Sequence, residues 1–230
     1  PFIVGVQAVS LPVARQFAQH ALDHGADGLM AMPPYLRKSS KAGLIEYYSS
    51  LASFGLPLMI QNAPAPIGSP LSPQELSNLL KNNEHVSYIK EESVPILQKI
   101  NQIKELAGDS CLGIFGGANG FYLLDELARG ACGNMPAGGL VDIQVKIFNA
   151  VVAGEMAKAD DLQLRLLPLL TYASMYGASF HKYLLWRRGV LASNYARDPQ
   201  NIALDQGDIT AIERYWNLIE DEVIEGYALR

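Results

Sequence analysis

Six short apolar runs recur along this chain at nearly even intervals, and that recurrence restricts the folds open to it more than any other feature. The runs are Phe2 to Val6, Gly28 to Met32, Leu56 to Ile60, Val86 to Ile89, Leu112 to Phe115 and Ala131 to Met135, and their first residues stand 26, 28, 30, 26 and 19 positions apart. Each is continuous rather than alternating, the pattern of strands covered on both faces in a parallel sheet. The intervals leave room for one helix after each strand.

The intervening segments carry helix punctuation. Ser10 stands where it can cap a helix striped by Val13, Phe17 and Ala21 and closed by Gly25. Ser72-Pro73-Gln74-Glu75 reads as a capping box with Pro at the first helical position, followed by Leu76, Leu79 and Leu80. Ile96, Ile100, Ile103 and Ala107 form a stripe ending at Gly108, and Leu123, Leu124 and Leu127 another ending at Gly130. Strand and helix thus alternate, which parallel strands with right-handed crossovers satisfy as an open doubly wound sheet or as a closed barrel. No GxGxxG or Walker loop marks a nucleotide-binding switch point, which favours the barrel. Six strands are nevertheless two short of a closed barrel of this type. From Val141 onward strand signals cease, and helices are predicted over Asp142 to Ala153, Glu155 to Met175, Phe180 to Arg187 and Asp208 to Glu225. The domain organisation predicted is a barrel portion over residues 1–153 and a helical extension over 154–230.

At 230 residues and 49% hydrophobic composition the chain can bury one large core. Its 18 basic and 23 acidic residues give a net charge of -5, and no basic cluster is longer than a pair such as Arg187-Arg188. Nucleic acid is therefore not an expected partner. No run of about 18 apolar residues calls for a membrane. Cys111 and Cys132 lack metal or disulfide spacing and read as buried thiols of a reducing compartment, so a cytoplasmic location is expected. His20, His24, His85 and His181 show no ligand spacing, and no metal or cofactor is implied.

Lys90 is the residue that speaks most directly of chemistry. It follows Val86-Ser87-Tyr88-Ile89, at the carboxyl end of a strand, where barrel active sites are built. Desolvation there disfavours the ammonium and favours the neutral amine, the form that attacks a carbonyl. An ion pair with Glu91 or Glu92 is the alternative that spacing leaves open.

Several motifs occur in one order: Val4-Gly5-Val6; Gly25-Ala26-Asp27-Gly28 with Pro33-Pro34-Tyr35; Leu56-Pro57 with Asn62-Ala63-Pro64 and Gly68; Tyr88-Ile89-Lys90-Glu91; Gly116-Gly117; and Arg129-Gly130-Ala131-Cys132-Gly133. In that order and spacing the chain resembles the dihydrodipicolinate synthase and N-acetylneuraminate lyase family over nearly its whole length. The resemblance implies a (β/α)8 TIM barrel with a C-terminal helical extension, a homotetramer in most members, and a Schiff-base lysine on the barrel's sixth strand, at Lys90. It also implies that Phe2 to Val6 is the barrel's third strand, so that the first two strand and helix units, with a carboxylate-binding Gly-Thr-Thr-type loop, are expected upstream of Pro1.

Three departures narrow the activity that the resemblance implies. The family's aldolases and synthases carry a proton-relaying Tyr in a Tyr-Asn-x-Pro motif, and this chain has Gln61-Asn62-Ala63-Pro64. Dihydrodipicolinate synthases place an Arg at the position of Pro66 and an interface Tyr at that of Leu36. Gln61, Glu92 and the segment Gly133 to Gly139 resemble instead the 2-keto-3-deoxy sugar-acid dehydratases, especially the L-2-keto-3-deoxyarabonate type. The expected catalytic set is Lys90 as nucleophile, Gln61 as hydrogen-bonding group and Glu92 as acid or base, with solvent exposure or simple pairing as the alternative for Glu92. Tyr35, Asn62, Gly116, Gly117 and Met135 are the expected substrate-binding residues. A tight turn accounts for the glycines equally well, and a plain core role for Met135. A pyruvate-dependent aldolase and a non-catalytic sugar-acid-binding protein are the competing functions.

Overall fold

The computed structural model describes residues 1–36, 39–64, 69–197 and 202–229. Pro66 and Gly68 lie outside the described residues. Strands form at β1 (Ile3–Gly5), β2 (Gly28–Ala31), β3 (Leu58–Asn62), β4 (Val86–Glu91), β5 (Gly113–Gly116) and β6 (Gly133–Asn134), in that order across one sheet. Every pairing from β1 to β5 is parallel. All six predicted strands are present. β6 is shorter than Ala131 to Met135, because Pro136 has no N–H with which to extend a ladder.

Between the strands run α1 (Leu11–Asp23), α2 (Lys41–Ala52), α3 (Pro73–Asn82), α4 (Ile96–Ala107) and α5 (Leu123–Ala128). The capping box at α3 is complete, with Ser72 and Glu75 each bonded to the other's backbone N–H. Ser10 does occupy the position before α1, but its hydroxyl makes no capping bond. Pro12 removes the second helical N–H, one of the two donors such a hydroxyl would use.

The chain forms two compact units, Pro1–Gly117 with Asp125–Gly133, and Ala118–Leu124 with Asn134–Arg230. In the first unit, strand alternation sorts side chains into two layers. Leu29, Ala31, Leu58, Ile60, Ile89 and Ile114 are fully or almost fully buried. They face the helices, whose Ala14, Ala18, Leu44, Leu51, Leu76, Ile100 and Ile103 are buried as well. On the opposite face stand Met30, Met59, Tyr88 and Gly113, aligned by the ladder register. The register shifts by one between Leu58 opposite Val86 and Met59 opposite Tyr88, leaving Ser87 without a partner in this ladder. Beyond that irregularity Gln61 pairs with Lys90, and both side chains are carried on the face opposite the helices.

The second unit contains α6 (Val141–Val152), α7 (Met156–Tyr176), α8 (Ala178–Arg187) and α9 (Gln206–Trp216). α9 stops nine residues short of the expected Glu225. Glu220, Asp221 and Glu222 would crowd negative charge at a helix C-terminus, which the helix dipole disfavours. They form a separate 3₁₀ turn instead, where Arg165 pairs with Asp221 and Lys146 with Glu222 at 2.9 Å. Arg188 and Asp142 make a buried bidentate pair (3.0 and 2.5 Å), and Arg188 also donates to the carbonyls of Gly139 and Tyr227. Among the described residues no helix is long and apolar enough to cross a membrane.

The two cysteines depart from expectation. Cys111 is half-buried, its thiol pushed up to about 11 by burial, whereas Cys132 is exposed. Cys132 falls in the turn before β6, and its sulfur lies over the open space that Gly113 leaves, 3.0 Å from where a Cβ would stand.

Candidate active site

Lys90 is 9% exposed, near the C-terminal end of β4. Its Nζ lies 3.4 Å from Glu92 Oε1, and Gln61 Nε2 donates to Glu92 Oε2 at 2.6 Å. The three residues expected to act together therefore meet: Glu92 bridges the amine and the amide, holding one carboxylate oxygen toward each. Alternation puts Lys90 and Glu92 on one face, and Gln61 reaches the same carboxylate from the neighbouring strand. Of the two acids open to Lys90 on spacing grounds, Glu92 is the one paired.

Gly117 has a specific role in this geometry. A Cβ there would stand 2.1 Å from Glu92 Oε1 and 2.5 Å from its Cδ and Cγ. The carboxylate occupies space that any other residue would fill. Gly116, expected beside it at the substrate, faces the other way. Its missing Cβ makes room for the fully buried carboxylate of Glu126, 1.9 Å from the same ideal position.

Asn62 likewise does not join Lys90. It is fully buried and bonded to the backbone of Leu71 through both ends of its amide, at 3.0 and 2.8 Å. It also donates to Glu91 Oε2 at 2.7 Å and to Ser93 Oγ at 3.1 Å. The reason is strand parity: Asn62 and Glu91 are each one residue beyond a residue facing the site, so both turn toward the helices. Glu91 accepts from the N–H and hydroxyl of Ser93, and Lys99 of α4 donates to that hydroxyl at 2.5 Å. Burial raises the Glu91 carboxyl above its ordinary value, more than the bonds from Ser93 and Asn62 lower it. This network anchors the ends of β3 and β4 from behind. Sequence reading missed Ser93 and Lys99, although the period-2 parity of Asn62 and Glu91 was a usable signal.

Tyr35 is 38% exposed at the end of the Pro33-Pro34 turn, and Leu36 beside it is 85% exposed with a left-handed backbone, φ 78°. Met135 belongs to the second unit, half-buried between β6 and the 3₁₀ turn Gly138–Leu140. In that unit Ala118, Asn119 and Gly120 all have positive φ (47°, 54° and 78°). Gln144 donates to the Asn119 carbonyl and Gln163 to the Gly120 carbonyl, and Asn119 Oδ1 accepts from Ala137 N–H. Among the described residues no group of three or more His, Cys, Asp and Glu is placed to hold a metal ion.

Comparison with known proteins agrees with this frame. The sequence profile of the dihydrodipicolinate synthetase family matches residues 1–208. The L-2-keto-3-deoxyarabonate dehydratase of Azospirillum brasilense is 31% identical over 204 residues, covering 86% of this chain and 66% of the relative. The probable 2-dehydro-3-deoxy-D-pentonate aldolase YjhH of Escherichia coli K12 is 33% identical over 175 residues, 74% of this chain and 57% of the relative. The crystal structure of dihydrodipicolinate synthase from Rhodopseudomonas palustris superposes with a TM-score of 0.82 at 28% identity, over 96% of this chain and 74% of that one. The chain spans less than two thirds of the length of these curated relatives. Fold, motif order and profile coincide over most of its residues, and the chain belongs to the dihydrodipicolinate synthetase family.

Proposed function

We propose that the protein is a Schiff-base lyase of 2-keto acids that dehydrates a 2-keto-3-deoxy sugar acid such as 2-keto-3-deoxyarabonate. The observation that carries this reading is the bridge of Glu92 between Lys90 and Gln61. Lys90 as free amine attacks the C2 ketone and expels its oxygen as water, leaving a protonated imine. The imine acidifies C3, and the Glu92 carboxylate takes a C3 proton to give the enamine. As the enamine electron pair re-forms the C=N bond, the C3–C4 double bond forms and the C4–O bond breaks. Glu92 returns its proton to the departing hydroxyl, which leaves as water. Hydrolysis of the imine then frees the amine and the dehydrated acid.

Retro-aldol cleavage needs a base for the C4 hydroxyl, and Gln61 has no proton to exchange in the ordinary pH range. Gln61 holds Glu92 and hydrogen-bonds the substrate instead. The similarity to a dehydratase favours the same branch, and the similarity to an aldolase keeps cleavage as the alternative outcome. The largely exposed Leu36, on a loop that also presents Tyr35, supports assembly into a homotetramer through this surface. The proposal includes a cytoplasmic location.

The test is borohydride reduction in the presence of pyruvate or a 2-keto-3-deoxypentonate, followed by peptide mass spectrometry and product analysis. An adduct on Lys90, its loss in Lys90→Ala, and a product one water lighter than the substrate are expected. Arg does not replace Lys90, because a guanidinium stays protonated. An unmodified Lys90 refutes the lyase, and pyruvate plus a two-carbon aldehyde refutes the dehydration branch.

A further inference from the structure

Two residues beyond the first strand stands Gln7, which nothing above uses. β1 pairs with β2 through Gly5 opposite Met30, and Val6 N–H donates to Met30 O at 2.9 Å, continuing the ladder one step. Extended past the ends of both strands, the same register aligns Gln7 with Met32. Ala31 opposite Ile60 places Met32 beside Gln61, Gln61 pairs with Lys90, and Lys90 with Phe115. Gln7, Gln61 and Lys90 therefore stand in one row across the sheet, on the same face. The position of the Gln7 side chain agrees, because its Oε1 and Nε2 lie 3.2 and 3.6 Å from where a Cβ of Gly5 would stand, two residues back on that face.

The Gln7 amide oxygen is enclosed and has no hydrogen-bond partner among the described residues. A buried acceptor without a donor costs about 1–3 kcal/mol, and a polar group kept in that condition on the sheet face that carries a reactive amine is suited to a ligand that supplies the donor. β1 lies three strands from β4, about 14 Å along the sheet at roughly 4.8 Å per strand. A carbon chain tethered at Lys90 through C2 and held at C4 by Gln61 extends toward that row with its remaining hydroxyl.

We infer that Gln7 is a specificity-determining residue that hydrogen-bonds a substrate hydroxyl beyond the carbon from which water is lost, the C5 hydroxyl of a 2-keto-3-deoxypentonate. The inference rests on the Schiff-base reading above and names a contact that reading does not require. A site built to bond a hydroxyl discriminates against the analogue lacking it, because the polar group is then left unpaired.

The experiment compares the parent protein with Gln7→Met on three probes: a 2-keto-3-deoxypentonate, its 5-deoxy analogue, and pyruvate with borohydride. The substitution is expected to lower kcat/KM for the pentonate by about 10- to 100-fold, mainly through KM. The 5-deoxy analogue should be turned over equally by both proteins, and the pyruvate adduct on Lys90 should form to the same extent. Equal losses on pentonate and analogue, or no loss on either, overturn the assignment while the adduct keeps the lyase reading intact. Absence of any Lys90 adduct in the parent overturns both.

Discussion

Replacing Gly117 by Ala tests the geometry of the site at its tightest point. The new Cβ would meet Glu92 Oε1 at 2.1 Å and its Cδ and Cγ at 2.5 Å, against at least 3.4 Å for ordinary contact. Backbone strain is not the issue, because Gly117 does not adopt the left-handed conformation. Glu92 has to withdraw by about 1 Å or more, and a 2.6 Å bond from Gln61 lengthened by that amount is no longer a hydrogen bond. A hydrogen bond to a charged group contributes about 1.5–3 kcal/mol. If Glu92 moves the proton, that loss falls on the barrier, and kcat should drop about 10- to 150-fold at 1.36 kcal/mol per tenfold. The assay is steady-state turnover of a 2-keto-3-deoxypentonate, with borohydride trapping of pyruvate as the control for Lys90. Parental turnover in Gly117→Ala would show that Glu92 is not held where the chemistry needs it. Loss of the pyruvate adduct as well would mean that the substitution damages the site as a whole, and the argument from Glu92 would fall.

Two further outcomes concern stability in the second unit. Arg188→Leu leaves the buried Asp142 carboxylate without its partner and should destabilise the protein by about 3–5 kcal/mol in urea unfolding; a midpoint unchanged from the parent would contradict the pairing. His181 is buried with neither ring nitrogen bonded among the described residues, and burial lowers its pKa below 6.5. The unfolded chain then binds the proton more readily than the folded one, so stability should fall as the pH drops from 6.5 toward the lowered value. His181→Phe should flatten that part of the urea-midpoint profile, and a profile identical to the parent's would refute the assignment.

Much of the fold was legible because burial on both faces writes itself into sequence as continuous apolar runs, and helix ends write themselves as caps. The six strands, the capping box at Ser72 and Glu75 and the start of the helical region near Val141 all follow from such local signals. The end of α9 was not legible, since Arg165 and Lys146, far away in the chain, draw the acidic turn at Glu220–Glu222 away from the helix.

For the site, residue type and strand position drew attention to Lys90 but left an ion pair open, and it was the resemblance to the family that added Gln61 and Glu92 to it. Which face each side chain takes is a different matter. Ser87, which is passed over in the β3–β4 ladder, shifts its register by one, and without that shift Lys90 would stand opposite Asn62 rather than Gln61. Parity then sends Asn62, Glu91 and Gly116 to the helix layer and leaves Gly117 to seat Glu92. A period of two makes adjacent residues opposite in fate, and only the pairing of one strand with the next decides which is which.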